Sequence, residues 1–282
     1  MAESPWPARL EEVVDLPAIP APAAAALALR PSERPPIDAL LDVLKNNPPL
    51  AANVLRLART AGLPRAPETT LRGSVLRLGF VHVRNLLVGA SLLRSFDSFF
   101  AGAPYTREAF WRHAIGVGIV AARLARASGE VSGSIAFLAG LLHDVGKLVL
   151  DRHCRAAWSA ALRMSRDARL PLHEAETRMI GGQHATIGAV LLESWNVPPE
   201  VVGPVRWHHQ AERAPVEHRQ AARLLNIADF LCIARKVGYG GNEYPEMPSP
   251  LHLDELKIDA AVREGAMEGL DSDPLFASLL TA

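Results

Sequence analysis

Apolar residues recur along most of this chain at the spacing of helices, and the polar residues between them mark where each helix starts and stops. Ile37, Leu40, Leu41 and Leu44 form one face of a short helix that Pro35-Pro36 opens and Asn46-Asn47-Pro48-Pro49 ends. Proline suits such a first turn, where its missing N–H has no intrahelical partner to lose. Leu50, Val54, Leu55, Leu57 and Ala58 make the next inward face, with Arg56 and Arg59 outward, up to a stop at Ala61-Gly62. A Pro-rich loop over 63–70 leads to helices over 71–78 and 81–100, separated at Gly79. After Gly102-Ala103-Pro104, Thr106 is a good N-cap for a long helix through Trp111, Ile115, Ile119 and Leu124 to Gly129. A strongly apolar helix over 135–145 ends at Gly146, and helices over 156–166, 172–180, 183–195, 198–209 and 217–237 follow. Beyond Gly238 the pattern is a loop with short helices at 254–268 and 273–281.

No stretch shows the sustained alternation of a half-buried strand, and no segment repeats at a fixed period. The fold class predicted is all-α, roughly eleven to thirteen helices in two packed bundles. The Pro- and Ala-rich residues 1–35 read as an extended lead-in, because the prolines delay any long helix until about Ala23. The organisation predicted is a lead-in over 1–15, a helical N-terminal subdomain over 16–104, a helical bundle over 105–237, and a C-terminal loop with short helices over 238–282.

Composition narrows the function. The 282 residues carry 30 Lys+Arg against 30 Asp+Glu, which removes the bulk electrostatic reason to expect nucleic-acid binding. Cys154 and Cys232 are too few for a disulfide framework and form no Cys-x-x-Cys pair, as expected of a cytoplasmic chain. The N-terminus lacks the basic start and apolar stretch of a signal peptide, and no run of about 18 uninterrupted apolar residues predicts a membrane span. Neither a Gly-x-Ser-x-Gly elbow nor a phosphate-binding Gly-rich loop with Lys-Ser/Thr is present.

Histidine is the unusual residue: there are ten. His143-Asp144 closes the apolar run Ala139-Gly140-Leu141-Leu142, and a carboxylate buried there needs a metal, a base or several donors. His113 stands upstream; His184, the pair His208-His209 and Asp229, the only acid within Leu224 to Leu231, stand downstream. These five histidines and two aspartates lie on five predicted helices, which a bundle can gather around one cavity. His208 and His209 point about 100° apart on an ideal helix, so both reach one cavity only beside a helix end. Imidazole and carboxylate without thiolate suit Fe, Mn, Zn, Ni or Co better than Mg or Ca. Seven ligands exceed the needs of one ion. The economical arrangement is two ions bridged by Asp144, with His113, His143 and Asp229 on one and His184, His208 and His209 on the other. His82, His153, His173, His218 and His252 lack the pattern and read as surface or locally satisfied residues; Trp111, Trp195 and Trp207 read as core anchors, and Arg77 and Arg84 as a solvated face.

The order of His113, His143-Asp144 and Asp229 resembles the HD-domain metal-dependent phosphohydrolase superfamily. The likeness extends to one branch, the HDOD domain family, through Leu16-Pro17-Ala18-Ile19-Pro20, Leu76-Arg77-Leu78-Gly79, Trp111-Arg112-His113, Phe137 to Lys147, His184 to Ala189, Trp195-Asn196-Val197-Pro198 and His208-His209. The resemblance covers about residues 14–235 and implies a helical N-terminal subdomain joined to an HD-type bundle. HDOD proteins are found largely in bacterial signalling, and many have lost metal ligands. This chain keeps them all, including the His184 and His208-His209 positions of the dinuclear HD-GYP branch and a Lys147 that in that branch meets a phosphate. It departs where Gln210-Ala211-Glu212-Arg213-Ala214-Pro215 follows the paired histidines in place of an acid and a Gly-Tyr-Pro loop. Gly238-Tyr239-Gly240 and Tyr244-Pro245 come only after Asp229, which disfavours a cyclic-dinucleotide phosphodiesterase. Asn47-Pro48 and Arg59-Thr60 replace the common Asp-Pro and Asn-Ser.

The resemblance implies a bacterial signal-transduction module that binds one or two divalent transition metals and acts through a signalling protein partner or a small phosphorylated ligand. The alternative is a metal-dependent phosphohydrolase acting on phosphomonoesters, nucleotides or phosphodiesters, with Asp144 orienting the attacking water and Lys147 stabilising the phosphate. A diiron oxygenase is a third reading, for which no organic substrate pocket is identifiable in the sequence.

Overall fold

The computed structural model of the chain describes residues 18–29, 35–60 and 70–280. The expectations for residues 1–17, including Leu16-Pro17, for the loop over 63–69 and for the side chain of Thr60 fall outside these. The described residues form sixteen α-helices and no strand, so the fold is all-α. In chain order these are α1 (Ala21–Ala28), α2 (Ile37–Lys45), α3 (Pro48–Thr60), α4 (Leu71–Leu78), α5 (Phe80–Ser95), α6 (Arg107–Ser128), α7 (Gly133–Leu142), α8 (Val145–His153), α9 (Arg155–Ala168), α10 (Leu172–Met179), α11 (His184–Ser194), α12 (Pro199–Trp207), α13 (Val216–Ala234), α14 (Pro250–Glu255), α15 (Ala260–Met267) and α16 (Pro274–Leu280).

The count exceeds the eleven to thirteen expected from periodicity for identifiable reasons. The lead-in contains α1, because Pro22 occupies a first-turn position where it costs no hydrogen bond. The helix expected over 81–100 ends at Ser95 and is followed by a separate 3-10 turn over Asp97–Phe100. The one expected over 254–268 is split into α14 and α15, the second capped by Asp259, whose carboxylate accepts the Val262 N–H at 2.8 Å.

The most consequential difference lies at Gly146, which was expected to terminate a helix and instead sits in the first turn of α8. A Cβ at this position would collide with the carbonyl oxygen of His184 and lie 2.6 Å from the Gly188 nitrogen. Glycine is therefore required by the close approach of α8 to α11, and it stops nothing. The break comes earlier, at His143-Asp144, where Asp144 takes φ −101° and ψ 0° and its carbonyl accepts the Lys147 N–H at 2.9 Å.

The described chain divides into two compact units. One consists of residues 18–95 with 269–280. Within it, Arg84 is buried and its Nε donates to the Ala26 carbonyl at 3.1 Å, a last-turn oxygen of α1 that also accepts the Leu29 N–H at 3.2 Å. This corrects the solvated-face reading of Arg84; burial also pushes its guanidinium pKa down. Leu275, Phe276 and Leu279 of α16 are buried in this unit, where α16 packs on α3 and α5.

The other unit spans residues 96–268. Thr106 caps α6 as expected, its hydroxyl accepting the Ala109 N–H at 3.1 Å, and Gly129 ends it in the left-handed conformation. α6 packs along α7 and α13, α11 lies against α8 and α12, and Trp111 and Trp158 are fully buried. By length and composition the stretch Gly133–His153 is apolar enough to cross a membrane, yet 83% of its apolar 18-residue window is buried inside the protein. The pair Leu71–Leu78 and Phe80–Ser95 reaches the same measure only if taken together, and is bent by 105°.

Candidate metal centre

The larger unit brings the seven residues singled out in the sequence to one place. His113 comes from α6, His143-Asp144 from the junction of α7 and α8, His184 from the start of α11 and Asp229 from α13. α12 ends at Trp207, so His208 and His209 lie in the turn beyond it. That meets the condition under which both rings can reach one cavity: their centroids are 3.9 Å apart with planes at 45°. Six of the seven side chains are buried and His209 is half-buried.

Two groups form that could each hold a metal ion. His184, His208 and His209 make one, and His113, His143 and Asp144 the other, with one ligand atom per residue lying within 4.8 Å of the rest of its group. Asp229 adjoins the second, its Oδ1 at 3.1 Å from His113 Nε2 and 3.6 Å from His143 Nε2. Asp144 Oδ1 lies between the groups, 3.3 Å from both His143 Nε2 and His184 Nε2.

The histidines are turned so that Nε2 faces inward. Nδ1 of His113 donates to the Val237 carbonyl at 3.2 Å, that of His143 to Gly140 at 2.7 Å, and that of His208 to Val205 at 2.7 Å. A ring whose Nδ1 carries the proton leaves Nε2 with a free lone pair, the state a metal requires. Nε2 of His184 and Nε2 of His209 face one another at 3.1 Å. His143 Nε2, His208 Nε2, Asp144 Oδ1 and Asp229 Oδ1 are buried with no hydrogen-bond partner. Four orphaned acceptors at one spot would cost several kcal/mol if nothing satisfied them. Ligand atoms held about 2.0–2.2 Å from one ion lie roughly 3–3.5 Å from each other, which is the range of most separations here. The donor set therefore fits metal.

The electrostatics favour ionised carboxylates and neutral His208 and His209, while the two aspartates draw His143 toward its charged form in the metal-free chain. Burial pushes the Asp144 carboxyl up, but His143, Lys147, His184 and His113 outweigh it and hold it below the usual carboxylate range. Asp229 is likewise pushed up by burial and held well down by His113 and His143. Burial and neighbouring imidazoles keep His208 and His209 well below the ordinary imidazole value, hence neutral. His143 is raised, since Asp144 and Asp229 overcome the effect of burial. Lys147 is buried, its Nζ 2.7 Å from Asp144 Oδ2.

Three features of the site were not visible in the sequence. Glu176, fully buried on α10, accepts the His184 Nδ1–H at 2.7 Å and the His184 backbone N–H at 2.9 Å. His173 on the same helix was expected at the surface or locally satisfied; it is instead buried, with its ring stacked on His209 at 4.4 Å and 14°. Gly238-Tyr239-Gly240, distant in sequence from the paired histidines, returns to the centre. The Tyr239 N–H donates to the Ala109 carbonyl at 2.8 Å, and a Cβ on Gly240 would lie 2.8 Å from Asp144 Oδ2. This segment lines a cavity of about 420 Å³ that has His113 at one wall and Lys236, Asn242 and Tyr244 at others. Only the occurrence of three glycines among residues 238–241 hinted at so close an approach.

Comparison with known proteins matches the HDOD domain family over residues 16–211. An uncharacterized protein of Treponema pallidum (strain Nichols) is 29% identical over 182 residues, 63% of this chain, and the match spans only 34% of that relative's length. Among solved structures, an HDOD domain protein from Geobacter sulfurreducens superposes with a TM-score of 0.74 at 21% identity, covering 94% of this chain and 93% of that one. A candidate phosphohydrolase from Shewanella amazonensis SB2B gives 0.71 at 23% identity over 96% of each chain. A candidate signal transduction protein from Marinobacter aquaeolei VT8 gives 0.71 at 27% identity, covering 97% of this chain and 62% of that one.

Proposed function

The chain belongs to the HDOD domain family, and from that premise we propose that it is a cytoplasmic signal-transduction module whose HD-type site binds divalent transition metal. One ion is held by His113, His143 and Asp229 and a second by His184, His208 and His209, with Asp144 between them. The observation that carries this reading is the set of four buried, unpartnered atoms on His143, Asp144, His208 and Asp229, all within one constellation. A site built only for structure would pair them. Imidazole and carboxylate favour Fe, Mn, Zn or Ni. The signalling role draws support from the name of the Marinobacter neighbour, and the output passes through a protein partner or a small phosphorylated ligand. Both cysteines are free thiols, as a reducing compartment would keep them.

A second reading, metal-dependent phosphohydrolysis, is favoured by the cavity that opens beside His113 and Gly240, next to Asp144 and Lys147. Metal bound here would supply Lewis-acid polarisation of a phosphoryl oxygen and a lowered pKa for water. Asp144, held ionised, orients the attacking water by accepting its hydrogen bond. Lys147 presents its ammonium to the phosphate from 2.7 Å beyond the Asp144 carboxylate. The bare backbone at Gly240 leaves room for a phosphate oxygen to come close.

Metal analysis of the purified chain, reconstituted with Mn, Fe, Zn and Ni, tests both readings when joined to assays on phosphomonoesters, nucleotides and cyclic dinucleotides. Stoichiometric metal without turnover supports the signalling module. Turnover that disappears in Lys147→Ala, with metal retained, supports the hydrolase. A reconstituted chain that holds no metal removes both.

A further inference from the structure

The metal reading leaves one histidine without an anchor of the usual kind. His113, His143 and His208 each have Nδ1 tied to a backbone carbonyl, and His184 has Nδ1 tied to Glu176. Among the described residues no acceptor ties Nδ1 of His209, which lies beside His208 in the turn after α12. Three rings face His209: His208 at 3.9 Å and 45°, His184 at 4.9 Å and 82°, and His173, the one that lies nearly parallel to it, 4.4 Å between centroids and 14° between planes.

His173 and Glu176 stand three residues apart on α10, so they share one face of that helix. Both are buried polar side chains, at 6% and 0% exposure, on a helix of eight residues. Burying a carboxylate and an imidazole on so short a helix is costly unless each is used. Glu176 is fully used: Oε1 and Oε2 lie 2.7 and 2.8 Å from His184 Nδ1, and Oε2 also accepts the His184 N–H. This holds the ring in the Nδ1–H tautomer with Nε2 toward His209 and Asp144. His173 makes no such bond through Nδ1, which is buried without a partner, so its contribution to the site is the flat face it offers to His209.

We propose that α10 is the support of the three-histidine group: Glu176 sets the ring and tautomer of His184 by hydrogen bonding, and His173 sets the ring of His209 by stacking. Both are positioning residues and neither is a ligand. The proposal rests on the metal reading for its consequence, while the positioning itself is a property of the metal-free chain.

The test uses the full-length chain and its variants Glu176→Ala, Glu176→Gln, His173→Ala and His173→Phe, with His113→Ala as a control in the other group. Titration with Zn2+ against a chromogenic chelator reads affinity, and imidazole 15N spectra of the metal-free chain read the tautomers. Glu176→Ala is expected to weaken one Zn2+ site about 10- to 100-fold and to release His184 from the Nδ1–H tautomer. Glu176→Gln, which retains one acceptor oxygen, falls between it and the parent chain. His173→Ala is expected to weaken the same site, and His173→Phe, which keeps a flat ring and has no nitrogen, to restore most of the affinity. Circular dichroism and thermal unfolding separate these effects from failure to fold, and the His113→Ala loss must fall on the other site. Parent-like affinity and tautomers in Glu176→Ala and His173→Ala overturn the proposal. His173→Phe as weak as His173→Ala overturns the stacking role. If the parent chain takes up none of Zn2+, Mn2+, Fe2+ or Ni2+, the metal reading fails, and the positioning is then decided by the 15N spectra alone.

Discussion

At the scale of single residues, the centre stores its instability in charge that only its neighbours tolerate. Lys147 and Asp144 are both buried and 2.7 Å apart, so Asp144 compensates the Lys147 ammonium, while His143 and then Lys147 compensate the Asp144 carboxylate in the metal-free chain. Asp144→Asn leaves the ammonium buried without its anion, and breaking such a pair costs about 3–5 kcal/mol. Urea unfolding of the metal-free variant should show this loss, and adding Lys147→Met should recover part of it. A Lys147→Met single variant as unstable as Asp144→Asn, with no recovery in the double, would contradict the pairing. The histidines give a second expectation. The pKa values of His208 and His209 are depressed in the fold, so as pH falls below about 6.5 the unfolded chain takes up protons that the folded chain refuses. Stability contributed by these groups is complete above that pH and lost as it falls. His143, raised in the fold, acts in a different window: its contribution is complete below about 6.5 and is lost as pH rises through its raised folded value, so it does not offset the other two rings below about 6.5. The melting temperature of the chelator-treated chain should therefore fall as pH is lowered below about 6.5, and the double variant His208→Phe, His209→Phe should flatten that slope.

At the scale of elements, the helix crossings decide whether ligands from distant parts of the sequence meet. Asp144 and His184 are brought to 3.3 Å because α8 and α11 touch backbone to backbone at Gly146. Gly146→Ala inserts a methyl where the His184 carbonyl lies, and overpacking of this kind costs about 1–3 kcal/mol. The expected result is a lowered melting temperature with weakened metal binding, both measurable on one preparation, since the carbonyl that must move belongs to the candidate ligand His184. This crossing also explains what could be read in advance. His113, His143-Asp144, His184, His208-His209 and Asp229 were legible as candidate ligands because metal chemistry restricts residue type, and acids or histidines stand out in apolar helices. The gathering of these ligands needed only a helical bundle. Glu176 and His173 were not legible, because on an amphipathic helix a buried Glu and a solvated Glu look alike until the partner across the gap is known. Gly146 was read as a stop for the same reason: a glycine required by a neighbouring backbone and one required by a turn have the same letter. The prolines before α1 misled in the opposite direction, since Pro22 suits a first turn as well as a loop.

At the scale of the whole molecule, all seven candidate ligands belong to the unit of residues 96–268, while residues 269–280 return to the unit of residues 18–95. A ligand stabilises only what it binds: an ion present at 100 times its dissociation constant adds about 2.7 kcal/mol to the folded state that holds it. Zn2+ or Mn2+ should accordingly raise the unfolding transition of the 96–268 unit, and chelator should lower it. Shortening the chain after residue 268 should act elsewhere. It removes α16, and with it the buried side chains of Leu275, Phe276 and Leu279 from the smaller unit, each carrying about 1.5–3 kcal/mol of burial. Calorimetry of the shortened chain should then show the smaller unit melting early while the metal-dependent increment of the larger one persists. Loss of that increment on shortening would mean that the metal centre depends on the smaller unit, and would make the two units a single device through which metal occupancy could be signalled.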